Sequence, residues 1–141
     1  MVDSLISWLV SFNGDMMASI KRFEDLECWQ DARELVKQIY RLTKNEGFNK
    51  DFELKNQITR SAVSVMANSA EGFHRSSSKD FIKFLDYSRS SLSETISHSY
   101  VALDQNYITK KEMDQVKLQS DVIWKKINKL ISYLRKYQQP S

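Results

Sequence analysis

Glycine and proline are scarce in this chain: its 141 residues include three glycines and one proline, Pro140 beside the C-terminus. Turn-rich β architectures consume both residues, so their scarcity argues against a sheet protein and for long helices joined by short links. The single cysteine, Cys28, cannot close an internal disulfide, which excludes a stapled secreted scaffold and fits a reducing cytoplasm. Long apolar runs are missing too. The most apolar stretch, residues 5–10, falls far short of the ~20 residues a membrane-spanning helix needs. No Lys or Arg precedes it, so the basic start of a secretory signal is lacking. The expectation is a cytoplasmic protein with no membrane segment.

The same poverty limits the chemistry. His74 and His98 are the only histidines. A ferritin-like metal centre needs Glu-x-x-His on two helices with further inward carboxylates. Glu71 and His74 have that spacing but straddle a predicted helix end, and Glu94 precedes His98 by four residues, once only. Cys28 has no basic cluster to make a thiolate. There is no Gly-x-Ser-x-Gly elbow, and three scattered glycines cannot build a phosphate loop. No catalytic residue, metal or cofactor is assigned, and an enzyme is not expected.

What is present reads as helix. Hydrophobic residues make up 41% and charged residues 28%, ordinary proportions for one soluble domain of this length. Residues 1–16 carry no basic residue and end in the turn signal Asn13-Gly14-Asp15. Leu5, Trp8, Leu9 and Phe12 would share one helical face, so this segment reads as an extension or a short amphipathic arm, with Met16 or Met17 as an alternative start. The domain itself is expected over 17–139.

Four helices are predicted in that domain. The first spans about 25–44, with Leu26, Trp29, Ala32, Val36, Ile39 and Tyr40 inward. The second starts at Asp51 as N-cap and carries the stripe Leu54, Ile58, Ala62, Val65 and Ser69, with Gly72 as its left-handed stop. The third is capped by Ser77 or Ser78 and turns Phe81, Phe84, Leu85, Ser88, Leu92, Thr95, Ile96, Ser99 and Leu103 inward. Its many small residues suit close approach of another helix, within the bundle or between subunits. The fourth opens with the capping box Thr109-Lys110-Lys111-Glu112. Its seam of Met113, Val116, Ser120, Ile123, Ile127, Leu130, Leu134 and Tyr137 is spaced three and four apart. Short links make successive helices antiparallel, so the fold class is an all-α, up-down four-helix bundle.

Charge supplies the functional hint. The formal net charge is only +3, from 21 basic and 18 acidic residues. The fourth helix nevertheless concentrates Lys110, Lys111, Lys117, Lys125, Lys126, Lys129, Arg135 and Lys136 against Glu112, Asp114 and Asp121. Lys125, Lys126, Lys129 and Lys136 are the nucleic-acid-binding candidates there. Arg75, Lys79, Lys83 and Arg89 form a second group around the start of the third helix. Such groups can track a phosphate backbone, with Tyr133 or Tyr137 available for stacking, although Lys on a bundle surface commonly marks no more than a solvated face.

Several ordered strings carry a family resemblance over about residues 20–137. Gln57-Ile58-Thr59-Arg60-Ser61-Ala62-Val63-Ser64-Val65, followed by Asn68-Ser69-Ala70-Glu71-Gly72, resembles the second-helix signature of proteins encoded in bacterial 23S rRNA intervening sequences. Ser69 stands where that family's Asn-Ile-Ala-Glu-Gly string has Ile. Arg75-Ser76-Ser77-Ser78-Lys79-Asp80-Phe81 with Phe84-Leu85, and Ser90-Ser91-Leu92-Ser93-Glu94, are similar to its third helix. Phe23-Glu24-Asp25-Leu26 with Trp29 and Ala32 is similar to its entry. The family is also similar to the accessory variability determinants of diversity-generating retroelements. The resemblance implies an antiparallel four-helix bundle, a ring-like homopentamer, no enzymatic activity, RNA or DNA as ligand and, on the retroelement branch, a reverse transcriptase as partner. Within the family motif Gly72 reads as a helix stop and Asn68 as a donor to a neighbouring helix or loop. Glu71 is placed to pair with Arg75 or with an arginine across an interface, so Asn68, Glu71, Gly72 and Glu94 are read as architectural. A protein–protein scaffold that reads a partner helix on the small-residue face is the alternative.

Overall fold

The computed structural model describes residues 20–136. Residues 1–16, Tyr137 and the ends of the 17–139 domain lie wholly or partly outside them, so the arm, the alternative starts and the last residue of the seam lie there too. Among the described residues the order is a 3-10 turn (Phe23–Asp25), α1 (Glu27–Leu42), a second 3-10 turn (Phe48–Lys50), α2 (Phe52–Phe73), α3 (Ser78–Asp104) and α4 (Lys110–Lys136), with no strand. None of these helices is long and apolar enough to cross a membrane.

The helix starts follow from their caps. Asp51 accepts from the Leu54 amide at 3.1 Å and Ser77 from the Asp80 amide at 3.2 Å, each satisfying an orphan donor. At α4 both halves of the box form: Thr109 Oγ1 accepts from the Glu112 amide at 3.1 Å, and Glu112 Oε1 accepts from the Thr109 amide at 2.9 Å.

The helices form a four-membered ring in which each packs on the next and α1 closes on α4. Side-chain pairs establish the directions. Going up α2, Ser61 meets Thr95, Ser64 meets Ser91 and Ser69 meets Ser88, so α3 runs down as α2 runs up. Asp31 reaches Lys126 while Asn45 reaches Glu112, which makes α1 and α4 antiparallel as well. The up-down bundle expected from short links is the observed fold.

The core holds the predicted stripes of α2 and α4, from Leu54 to Ser69 and from Met113 to Leu134, all buried. On α3, Phe84, Ile96 and Leu103 are half-buried while Ser91 and Ala102 are inside. On α1 the inward row is Cys28, Ala32, Leu35, Ile39 and Leu42. Leu26, Ala32 and Ile39 of the predicted row are buried, whereas Trp29 and Val36 are half-buried and Tyr40 is exposed, because these three lie on the flank of α1 rather than on its inward face.

Gly72 is not a stop. It lies inside α2 at an ordinary φ, and the positive glycine φ belongs to Gly47, at 85° in the α1–α2 link. A Cβ on Gly72 would sit 2.9 Å from Phe81 Cδ1, 3.0 Å from Phe84 Cβ and 3.2 Å from the Phe81 carbonyl oxygen. The glycine is there so that α3 can turn back against α2.

Small polar residues fill the α2–α3 interface. The Ser88 hydroxyl donates across it to the Val65 carbonyl at 3.0 Å, and Ser91 donates to Ser64 Oγ at 2.9 Å. The Ser61 and Thr95 hydroxyls lie 2.9 Å apart. The small face of α3 is therefore occupied within the monomer. The opposite end, around the α3–α4 link, is tied by Asn45 donating to the Tyr107 carbonyl and by Tyr107 donating to Asp51 Oδ2 at 3.0 Å.

Candidate nucleic-acid interface

Antiparallel packing brings the two basic groups to one half of the bundle. The first turns of α3 and the last turns of α4 share an end, since Arg89 Nη1 donates to Asn128 Oδ1 at 2.9 Å across the two helices. Within that half the candidate cations divide by what they touch.

Lys79, Lys83, Lys125 and Lys129 are exposed and make no ion pair among the described residues. Lys125, Lys129 and Lys136 are four and seven residues apart on α4, a spacing that puts them on one outward face. Lys136 is also exposed. Lys111, about four turns before Lys125 on the same face of α4, extends the exposed stripe toward the other end. Lys83 Nζ stands 6.0 Å from the Tyr87 ring centroid.

The other three are engaged by the protein's own side chains. Lys126 turns toward α1 and pairs with Asp31, and this hydrogen bond is the chief reason its pKa lies above the usual lysine value. Arg75 pairs with Glu71 at 2.5 Å, and its guanidinium lies 4.4 Å from the Phe84 centroid, packing along the turn between α2 and α3. Arg89 is held by Asp86 at 2.6 Å and by Asn128, over the Trp124 ring at 5.9 Å. Sequence spacing could not separate the committed from the outward cations, because two of the three are turned aside by residues on other helices.

The family-motif residues act locally. Asn68 donates to the carbonyl and hydroxyl of Ser64 on its own helix, both at 2.9 Å, rather than to a neighbouring helix or loop. A carboxamide four residues beyond a serine reaches that turn first. Glu71 takes Arg75, the nearer of its two expected partners. Glu94 and His98 line an open polar groove between α2 and α3 with Gln57, Arg60 and Ser64. Among the described residues no three His, Cys, Asp or Glu side chains converge as a metal-ligand set.

Tyr133 is half-buried against the core, not displayed for stacking as the spacing suggested. Spacing also overlooked two exposed rings, Tyr100 and Trp124, on the α3–α4 face. The apolar recess between α1 and α4, lined by Ile20, Leu26, Cys28 and Leu130 with Lys126 and Lys129 at its rim, measures about 50 Å³. That is room for a water or two, well below the several hundred Å³ usual for a small-molecule site.

A family model described as 23S rRNA-intervening sequence protein matches residues 24–129. A crystal structure of a protein of unknown function from the S23 ribosomal protein family of Bacteroides thetaiotaomicron is 27% identical. It covers 74% of this chain and 97% of that one with a TM-score of 0.67. No curated protein matches the chain.

Proposed function

Because the chain belongs to the 23S rRNA-intervening sequence protein family, we propose that it is a non-catalytic, homo-oligomeric accessory protein that binds RNA or DNA through the basic half of the bundle. The observation that carries this reading is the gathering of Lys79, Lys83, Lys125, Lys129 and Lys136 in one half of the bundle, all exposed. A single copy offers few phosphate contacts and a net charge of only +3. A homopentamer multiplies that charge fivefold and presents the lysines as a repeated surface, so each added contact binds at high effective concentration. A reverse transcriptase is the protein partner this reading assigns to the assembly on a retroelement, and a structured transcript is the ligand in either genomic setting. A scaffold reading a partner helix on the small face of α3 is disfavoured, because Ser88, Ser91, Thr95 and Ser99 are already buried.

Charge reversal tests the reading. Lys125→Glu with Lys129→Glu is expected to weaken binding of a structured RNA by about tenfold or more, with helical circular dichroism unchanged. Unaltered affinity in the doubly reversed protein would refute the assignment of this face. Lys126 is left out of the design, since reversing it would set a carboxylate against Asp31 and disturb the fold.

A further inference from the structure

Lysines alone attract any nucleic acid, duplex or single-stranded, because they act on phosphates. Exposed aromatic rings discriminate, since only unpaired bases offer a face to stack on. Two such rings flank the α3–α4 groove: Tyr100 is 42% exposed and Trp124 40%.

Each ring is paired with a cation from the opposite helix. Arg89 of α3 lies 5.9 Å from the Trp124 centroid on α4, and Lys117 of α4 lies 5.8 Å from the Tyr100 centroid on α3. Arg89 and Tyr100 are about three turns apart on α3, and Lys117 and Trp124 about two turns apart on α4, so the four side chains form a four-sided patch, longer on α3 than on α4, across one outer face. The rings are then separated by on the order of 10 to 16 Å along the bundle. The Arg89 guanidinium is fixed by Asp86 and Asn128, as a stacking plane requires. Lys117 is held above the usual lysine pKa, chiefly by hydrogen bonding to Tyr100, so it stays charged. Of the local acids, Asp86 pairs with Arg89 and Asp114 with Lys110, while exposed Asp121 remains one turn from both Lys117 and Lys125. Lys125 adjoins Trp124 and leads from this face to the outward lysine stripe.

We infer that the α3–α4 face is a stacking platform for single-stranded nucleic acid, with Trp124 and Tyr100 receiving unpaired bases and Lys117 and Lys125 holding the intervening phosphates. Each cation lies over its ring, so a base would stack on the part of the ring that remains exposed, with the positive charge adjacent to it. This rests on the nucleic-acid reading above and narrows it to unpaired segments such as loops and single strands.

The test compares dye-labelled oligo(U) with a duplex RNA of equal length, by anisotropy in low salt, on the full chain. Tyr100→Leu with Trp124→Leu should weaken oligo(U) binding about tenfold or more and change duplex binding less than about twofold. Tyr100→Phe with Trp124→Phe keeps both ring faces and should retain most of the affinity. Oligo(U) should also quench tryptophan emission in the parent protein and lose that effect in Trp124→Phe, a readout that does not depend on the leucine variant folding. If the parent binds neither probe, the nucleic-acid reading and this inference fall together. If the parent binds oligo(U) and the leucine variant binds it equally well, or quenching persists in Trp124→Phe, only the stacking platform is overturned. Dissociation of the assembly in the leucine variant by sedimentation would also overturn it, marking the face as a contact between copies.

Discussion

Cys28 sits on the inward face of α1 within reach of Ser69, and burial pushes its pKa from 9.0 to about 11. The folded protein thus holds this proton more tightly than the unfolded chain does. The resulting stabilisation is complete below about pH 9 and is lost as pH rises through about 11. Urea unfolding is expected to show the parent losing about 2 kcal/mol more than Cys28→Ala between about pH 8 and pH 11; parallel losses would contradict this. The sequence shows no basic cluster beside this thiol, but the burial that holds its proton comes from packing and not from its sequence neighbours. Gly72 was not legible from its neighbours either. Its place near a helix end suggested a left-handed stop, whereas its purpose is the approach of Phe81 and Phe84 from a helix that the local sequence does not describe. Alanine there gains helix propensity of about 1 kcal/mol but forces its Cβ against the fully buried Phe81. Gly72→Ala should therefore destabilise by about 1–2 kcal/mol in thermal or urea unfolding, and a rise in stability would refute the packing role.

Among the elements, α4 was the most readable, because its capping box and single apolar seam are both local signals and both form. α1 was less so. It carries two apolar rows, Cys28, Leu35 and Leu42 on one and Trp29, Val36 and Tyr40 on the other, and periodicity cannot say which faces the core. The ring of neighbours decides: α2 and α4 enclose the first row and leave the second on the flank. The α2–α3 pair shows what small residues accomplish. Ser88 is fully buried and bridges to the Val65 carbonyl and toward Ser69, at 3.0 and 3.2 Å. Ser88→Ala should cost about 1 kcal/mol through the lost hydrogen bond. Ser88→Val should cost more, because a branched side chain must fit where the helices approach most closely. Equal stability of the two variants in urea would show that the interface is not tightly packed there.

At the scale of the molecule, the two basic groups were visible as composition, but their meeting in one half of the bundle follows from the antiparallel return of α3 and α4. Pairings across helices then remove Lys126 and Arg89 from the set of cations open to phosphate, and the local Glu71 bridge restrains Arg75. No spacing rule contains the first two facts, since each depends on a residue on another helix. What is left outward is a lysine surface beside two aromatic rings, on a bundle whose interior is closed and whose apolar recess is small. Filter binding of the full chain to a structured RNA, from about 50 to about 300 mM salt, addresses that surface without any variant. The expected result is clear binding in low salt that weakens with a log–log slope of about −3 or steeper, as displacement of counterions by four or more lysines requires. Absence of binding at the lowest salt, or an affinity indifferent to salt, would contradict a nucleic-acid-binding role.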